Sequence, residues 1–307
     1  MPRGRASKAL CQKGSGSWLS LDAVRPRLRA SACCLRVITL SAYPKLRSAS
    51  GPPGQCAQLF QTGAAGANIV DMTPAERQSS VAFAMRNLLL DVRQPSPSAL
   101  QTASDFMAGR KQAEALADHA RRLEAKADAL TDALFLRTIL ICQRPWATEG
   151  DLEELRAIHR RLLPNLPEER MLRRPQPEDD ASLYPATMLE QGAAAIGQEL
   201  AAERNLASLD RPVFVERLAH YYDELSYLHP FADCDGMTLR IFLSRLSHDA
   251  GWDLDWGQAD PTAHRRAIQR ALRGSTDDLQ ALIAGMVRPV NPTRIFLIAG
   301  WDQGPAH

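Results

Sequence analysis

Apolar residues recur at helical spacing through most of the chain after residue 71. Thr73, Pro74 and Glu76 predict the start of a first helix, because Thr can cap it, proline fits the first turn and Glu completes a capping box. The apolar residues that then mark one face of this helix are Val81, Met85, Leu88 and Val92. The prolines at positions 95 and 97 predict its end, since proline cannot continue a helix.

The same spacing, with capping residues and prolines at the boundaries, predicts further helices along the chain. Ser98 is predicted to cap the second helix and Gly109 to stop it. The predicted ranges are 98–107, 111–141, 151–163, 185–204, 212–228, 237–250 and 261–286, the last interrupted at Gly274. Residues 170–184 are predicted to form a loop or hairpin, and residues 293–299 a short terminal strand. The pattern predicts an all-α protein, with one helical domain preceded by a small helical leader.

Residues 1–70 differ from the rest of the chain in charge. They contain ten Lys or Arg and one acidic residue, Asp22, whereas residues 71–307 carry 27 Lys or Arg and 34 Asp or Glu. A basic segment rich in Ser, Gly and Pro fits three interpretations. These are a disordered or untranslated leader with Met72 as the true start, a targeting or secretion segment, and a nucleic-acid-binding arm. The first is favoured, because no sustained helical or strand period runs through the segment.

Composition also limits the compartment and the partners. No apolar run is long enough to span a bilayer, and the stretch 32–43, the best core for a signal peptide, is interrupted by Arg36. Only Cys142 and Cys234 follow residue 70, which is neither a disulfide framework nor a zinc ligand set. We expect a cytoplasmic protein, or one delivered into a host cell, with no membrane partner and no nucleic-acid partner for its folded part. The sequence leaves the oligomeric state open.

One stretch, residues 229–240, combines groups that nucleotidyl transfer requires. It reads His-Pro-Phe-Ala-Asp-Cys-Asp-Gly-Met-Thr-Leu-Arg and joins two predicted helices. A His at the end of the first helix can act as a general base, an Asp can hold Mg²⁺, and the start of the second helix can hold phosphate. Simpler interpretations stay open: His229 as a surface residue, Asp233 as a helix cap and Cys234 as a semi-buried thiol.

This loop resembles the signature of the Fic family, H-P-F-x-[D/E]-G-N-G-R-x-x-R between two helices. Residues 214–222 resemble the helix that precedes the signature in the family, residues 241–256 resemble the segment after it, and residues 151–159 resemble the family's early helix. The resemblance covers about 150–286 and implies an all-α, Fic-type helical domain with a short flap hairpin. The domain limits it implies are a leader at 1–70, an antitoxin-like helical segment at 71–145, a Fic domain at 146–290 and a tail at 291–307.

The resemblance implies a protein adenylyltransferase that moves AMP from ATP, with Mg²⁺, to a Ser, Thr or Tyr hydroxyl of a target protein. In that interpretation His229 is the base that takes the hydroxyl proton, and Asp233 helps to coordinate Mg²⁺. Phe231 is a core anchor that sets the loop, Gly236 keeps the turn open for phosphate, and Arg240 contacts the phosphates.

Three positions depart from the family pattern. Cys234 stands where the family has its first Gly, Asp235 where it has Asn, and Met237 where it has its first Arg. A carboxylate beside a polyphosphate is repelled by roughly 4 kcal/mol at 4 Å and an effective dielectric near 20, and the lost Arg removes a charge-assisted contact of about 1.5–3 kcal/mol. The predicted nucleotide-binding residues are Phe231, Cys234, Asp235, Gly236, Met237 and Arg240.

These departures leave two other functions open. The chain could be a Fic-fold pseudoenzyme or binding module without transfer activity, or a transferase that uses a less anionic phosphate donor. The flap also departs, because residues 166–173 lack the Trp and Gly of the family's W-A-G-x-x-R pattern, on which a target backbone aligns. Target docking is therefore expected to be altered or absent.

Residues 75–110 resemble the small helical antitoxins that accompany some Fic proteins. Those antitoxins carry [S/T]-x-x-x-E-[G/N], and the resemblance implies that their Glu pairs with the first Arg of the signature. The matching positions here are Asn87, Asp91 and Val92. Because the implied partner position is Met237, we expect both halves of this inhibitory ion pair to be altered.

Overall fold

Side-chain caps set the starts of several helices. The structure, a computed structural model, describes residues 72–124, 129–141, 150–175 and 183–290. These residues belong to the unit formed by Ala64–His307. At the first helix Thr73 and Glu76 form the predicted capping box. Side chains that accept a backbone N–H at the start of other helices are Ser96, Asp151, Asp210 and Asp260.

Helices dominate the described residues, which confirms the predicted all-α class. The helices are α1 (Pro74–Leu90), α2 (Pro97–Met107), α3 (Ala113–Glu124), α4 (Leu130–Ile139), α5 (Leu152–Leu162), α6 (Leu189–Ala202), α7 (Arg211–Leu228), α8 (Asp235–Asp249), α9 (Pro261–Ala271) and α10 (Asp277–Met286). None of the helices in these ranges is both long and apolar enough to cross a bilayer.

Two short strands, one after α8 and one after α10, form an antiparallel pair. Strand β1 (Trp252–Leu254) pairs with β2 (Val287–Pro289), with Trp252 opposite Pro289 and Leu254 opposite Val287. The sequence pattern did not predict this pair, because three residues are too few to show an alternating period. The strand predicted at 293–299 lies outside the described residues.

The predicted single helix over 111–141 is wrong. The structure divides it into α3, which ends at Glu124, and α4, which begins at Leu130, with residues 125–128 outside the description. The two helices pack on each other and bury Leu116 of α3 and Leu134 of α4. Folding back in this way buries both apolar stripes, which one straight helix would leave facing solvent.

Two smaller predictions at the end of α1 are also corrected. Val92 does not continue the apolar face of α1, because the helix ends at Leu90 and Val92 is an exposed residue with φ of 58°. The second helix is capped by Ser96 rather than Ser98. The predicted boundary between the antitoxin-like segment and the Fic domain falls among residues 142–149, and that range lies outside the described residues.

Helices α7 and α8 form the centre of the described fold. Both carry long runs of buried residues, and α5, α6 and α10 pack around them with α1 and β1. The turn between α7 and α8 is therefore held between two largely buried helices. This is the turn that carries the predicted site.

A buried ion pair joins α5 to α8. Glu154 accepts hydrogen bonds from Arg245, with Nε at 2.7 Å from Oε1, and both side chains are almost fully buried. Glu154 also accepts the backbone N–H of Gly150 at 2.9 Å, which fixes the start of α5. Because the charges are removed from water, each depends on the other for solvation.

We expect Glu154→Ala to lower the free energy of unfolding by about 3–5 kcal/mol, since it leaves the guanidinium of Arg245 buried without its main partner. Urea unfolding followed by circular dichroism measures the change. The matched control is Glu153→Ala, because Glu153 is exposed and its ion pair with Arg156 is expected to contribute less than about 1 kcal/mol. Equal effects of the two changes would contradict this account.

A second buried polar pair joins α7 to α9. The hydroxyl of Tyr222 lies 2.7 Å from Nε2 of His264, and Trp256 packs edge-on against both rings. Burial, with a smaller effect of the Arg240 and Arg265 charges, lowers the pKa of His264 to about 3. His264 is therefore neutral in the folded protein at neutral pH.

Because His264 is buried in its neutral form, we expect the free energy of unfolding to fall in acid. Unfolded His binds a proton near its ordinary pKa of about 6.5, so the unfolded state gains protons first as the pH falls. The contribution of His264 is then lost between about pH 6.5 and 3, by at most about 1.4 kcal/mol per pH unit. The free energy of unfolding of the wild type, relative to His264→Gln, should fall by about 2 kcal/mol between about pH 6.5 and 4.5. A constant difference over this range would contradict the assignment.

Candidate active site

The turn between α7 and α8 contains two non-glycine residues with left-handed backbones. His229 ends α7 with φ of 44°, and its N–H bonds to the carbonyl of Leu225 at 3.0 Å. Cys234 precedes α8 with φ of 56° and makes no side-chain cap. Such conformations cost on the order of 1 kcal/mol or more each and persist only where the surroundings impose them. Several contacts impose them here.

The first of these contacts is the packing of Phe231 under the turn. Phe231 is fully buried and stacks on the ring of His159 from α5, with ring centres 4.3 Å apart. Nε2 of His159 donates to the carbonyl of Asp233 at 2.9 Å, and burial lowers the pKa of His159. One neutral imidazole thus supports the turn by stacking on one residue and by bonding the backbone of another.

Asp233 is an exposed residue of the turn. The alternative interpretation of Asp233 as a helix cap is wrong, because the residue at the cap position of α8 is Cys234. Within the described ranges no group of three or more His, Cys, Asp or Glu could hold a metal ion without help. A single exposed carboxylate still suits Mg²⁺, which often binds through one carboxylate together with substrate phosphates and water.

Asp235, the first residue of α8, bonds to both ends of the turn. Its Oδ1 accepts the backbone N–H of Phe231 at 3.1 Å, and its Oδ2 lies 3.2 Å from Nδ1 of His229. Asp235 is buried, while the side chain of His229 is about one-third exposed. Burial lowers the pKa of His229, but the hydrogen bond and the charge of Asp235 outweigh it and leave that pKa above its ordinary value.

The predicted flap segment supports the turn from the other side. Leu172 forms an antiparallel bridge with Phe231, and the N–H of Arg173 donates to the carbonyl of Pro230 at 2.9 Å. The guanidinium of Arg173 donates to the carbonyl oxygens of His229 and Tyr184. The rest of the predicted hairpin, residues 176–182, lies outside the described residues.

Arg240 is almost fully buried and is bound by α1 and the residue after it. Its Nε donates to Oδ1 of Asn87 at 2.5 Å, and its Nη2 donates to the carbonyl of Asn87 at 3.0 Å. Oδ1 of Asp91 accepts from the same Nη2 at 2.8 Å. Met237 is completely buried in the core, and Asp91 pairs with Arg240 instead of with position 237.

Cys234 and Asp235, which also depart from the family pattern, are buried like Met237. Burial raises the pKa of Cys234 to about 11, so its thiol stays protonated at neutral pH and cannot serve readily as a nucleophile.

At Gly236 an added Cβ would lie 3.0 Å from Nη1 of Arg240 and 3.2 Å from Oδ1 of Asp91. A side chain at position 236 would therefore press on the Arg240–Asp91 ion pair, which glycine leaves undisturbed.

A cavity of about 440 Å³ opens beside the turn. One part of its wall carries His229, Asp235, Arg240 and Asp91, and another part is apolar, with Ile268 and Leu272. This volume lies in the range of small-molecule sites, and the combination of an apolar wall with a few polar groups is typical of them.

The structure thus brings most of the predicted residues to one place, although not all of them line the cavity. His229, Asp235, Gly236 and Arg240 do, whereas the buried side chains of Phe231 and Met237 belong to the core. Sequence reasoning gave no role to His159 or Arg173. The signal for both is indirect: His159 lies in the segment that resembles the family's early helix, and Arg173 ends the predicted flap.

Comparison with known proteins identifies the family. The profile of the Fic/DOC family matches residues 149–247. The chain is 33% identical to protein adenylyltransferase VbhT of Bartonella schoenbuchensis over 48% of this chain and 32% of that protein, so it spans about a third of that relative. It is 30% identical to a protein named probable protein adenylyltransferase y4lH, of Sinorhizobium fredii, over 45% of this chain and 75% of that protein.

Among solved structures, BepC of Bartonella tribocorum with bound AMPPNP is similar to this chain, with a TM-score of 0.46, 17% identity, and coverage of 58% of this chain and 89% of BepC. The range that the family profile matches includes α5, α6, α7, the α7–α8 turn and most of α8. This chain belongs to the Fic/DOC family.

Proposed function

We propose that this protein transfers AMP from ATP to a hydroxyl group of a target protein, with His229 as the base. The observation that carries the proposal is the position of His229, on the wall of a cavity that also holds a buried arginine and the start of α8. The adenylyltransferase names of the relatives support the same reaction class.

The reaction uses groups on one side of the cavity. Nε2 of His229 takes the proton of the target hydroxyl as its oxygen attacks the α-phosphorus of ATP. The bond between the α-phosphorus and the bridging oxygen breaks, and pyrophosphate leaves. Backbone N–H groups at the start of α8 and the guanidinium of Arg240 stabilise the phosphate charge. Asp233 would hold Mg²⁺, which neutralises phosphate charge when bound.

We further propose that α1 and the residue after it hold the enzyme in a low-activity state. Asn87 and Asp91 use donors of Arg240 that an incoming phosphate would need. An acidic side chain in this position also repels the polyphosphate of ATP. This contact supports the proposal that the antitoxin-like segment acts on the site from within the same chain.

We expect His229→Ala to reduce transfer of label from α-³²P-ATP to target or to the protein itself by at least about a hundredfold, because general-base catalysis contributes that much or more. The matched control is His220→Ala, also on α7, whose imidazole bonds to Glu199 instead. Equal labelling by wild type and His229→Ala would reject the transferase. ATP binding with no labelling by either would favour the Fic-fold binding module.

We expect Asp91→Ala to tighten ATP binding by about tenfold or more, because a hydrogen bond to a charged group is worth about 1.5–3 kcal/mol and becomes available to phosphate. Isothermal titration with Mg²⁺-ATP measures this. Glu114→Ala, which removes an exposed carboxylate from α3, is the control for the loss of one negative charge. An equal change in both variants would mean that net charge, and not Arg240, accounts for the gain.

The burial of Met237 favours a second donor class. No cationic side chain occupies this position, so the described site has less positive charge for a triphosphate than the family pattern provides. A nucleoside diphosphate ester, which carries less negative charge than ATP, would suit it better. Titration with ATP and with nucleoside diphosphate esters, with and without Mg²⁺, separates the two classes, and tighter binding of ATP would exclude the second.

A further inference from the structure

The carboxylate of Asp235 is committed to the turn rather than directed freely into the cavity. One oxygen accepts the N–H of Phe231 at 3.1 Å and the other lies 3.2 Å from Nδ1 of His229. Because both oxygens have partners within the protein, the charge of Asp235 is neutralised in part before any nucleotide arrives. This reduces the repulsion expected from its position in the sequence.

An ionised carboxylate can only accept a hydrogen bond, so the proton of a neutral His229 must lie on Nδ1. The lone pair is then on Nε2, the other ring nitrogen. A base needs this tautomer to take a hydroxyl proton at Nε2. The left-handed backbone of His229 and the bond from Arg173 to its carbonyl further restrict where the ring can lie.

We propose that Asp235 is a positioning residue that holds His229, through the Nδ1–H···Oδ2 hydrogen bond, in the tautomer and orientation of the general base. The catalytic part of this proposal rests on the proposed transfer reaction. After proton transfer the same carboxylate stabilises the imidazolium. Asp235 thus acts through His229 and does not contact the donor.

Other charged groups face His229 from neighbouring segments and must be considered with Asp235. Arg173, from the segment before α6, opposes protonation of His229, whereas Asp235 favours it. Across the cavity lie Asp91 before α2, Arg240 on α8, and His264 and Arg265 on α9. The test therefore changes only Asp235 and leaves these groups in place.

The direct test is NMR of the full chain labelled with ¹⁵N-histidine, with His229 assigned from His229→Ala. In the wild type we expect His229 to show the Nδ1–H tautomer above its pKa. Asp235→Asn keeps the shape and can still accept from Nδ1, so it should retain the tautomer while its pKa falls. Asp235→Ala should lose the tautomer preference as well. If both variants leave the tautomer and pKa of His229 unchanged, the proposal is wrong whether or not the protein transfers AMP.

The activity test separates positioning from an effect on donor binding. In the Asp91→Ala background, Asp235→Ala should lower kcat for transfer by about tenfold to a hundredfold and leave the KM for ATP nearly unchanged. Asp235→Asn should shift the rising limb of the pH–rate profile to lower pH, because a lower pKa of His229 leaves it neutral further into acid. A change confined to the KM for ATP would overturn the proposal in favour of electrostatic repulsion of the donor. If no transfer is detected but NMR shows that the tautomer of His229 depends on Asp235, only the proposed function is rejected.

Discussion

The burial of the Arg240 guanidinium is the constraint on which the site depends. A buried cation needs anionic or polar partners, because leaving it unpaired costs several kcal/mol. In this structure Asn87, on α1, and Asp91, directly after it, provide them. A phosphate group offers the same kind of partner. In the proposed function, α1 and the donor compete for this one cation, so that α1 would control the site without contacting His229.

The contacts that hold the α7–α8 turn come largely from residues that are distant in sequence. Phe231 stacks on His159 from α5, and Asp233 accepts a hydrogen bond from the same ring through its carbonyl. Arg173 bonds the backbone from the opposite side. These fixed contacts offset the cost of two left-handed residues and place His229 on the cavity wall. As the base of the proposed reaction, His229 would need little rearrangement before transfer.

Local signals predicted the helices and the turn well, since caps, prolines and apolar spacing act over a few residues. They failed where distant segments decide the outcome. Nothing near Asp91 indicates that its partner is Arg240, which is far away in sequence. Position 237, the partner position that the resemblance implies, is a methionine in the core. The division of 111–141 into α3 and α4 likewise results from packing of the two helices on each other, which local propensity does not encode.

The three departures from the family pattern look different once their surroundings are known. Met237 is part of the core, Cys234 is a protonated thiol at the start of α8, and Asp235 has two partners within the turn. Their cost to donor binding is therefore not the sum of three independent losses. The missing positive charge at 237 remains a loss for any triphosphate. The exchange of amide for carboxylate at 235, by contrast, gives His229 a charged acceptor, which in the proposed reaction acts on the base rather than on phosphate binding.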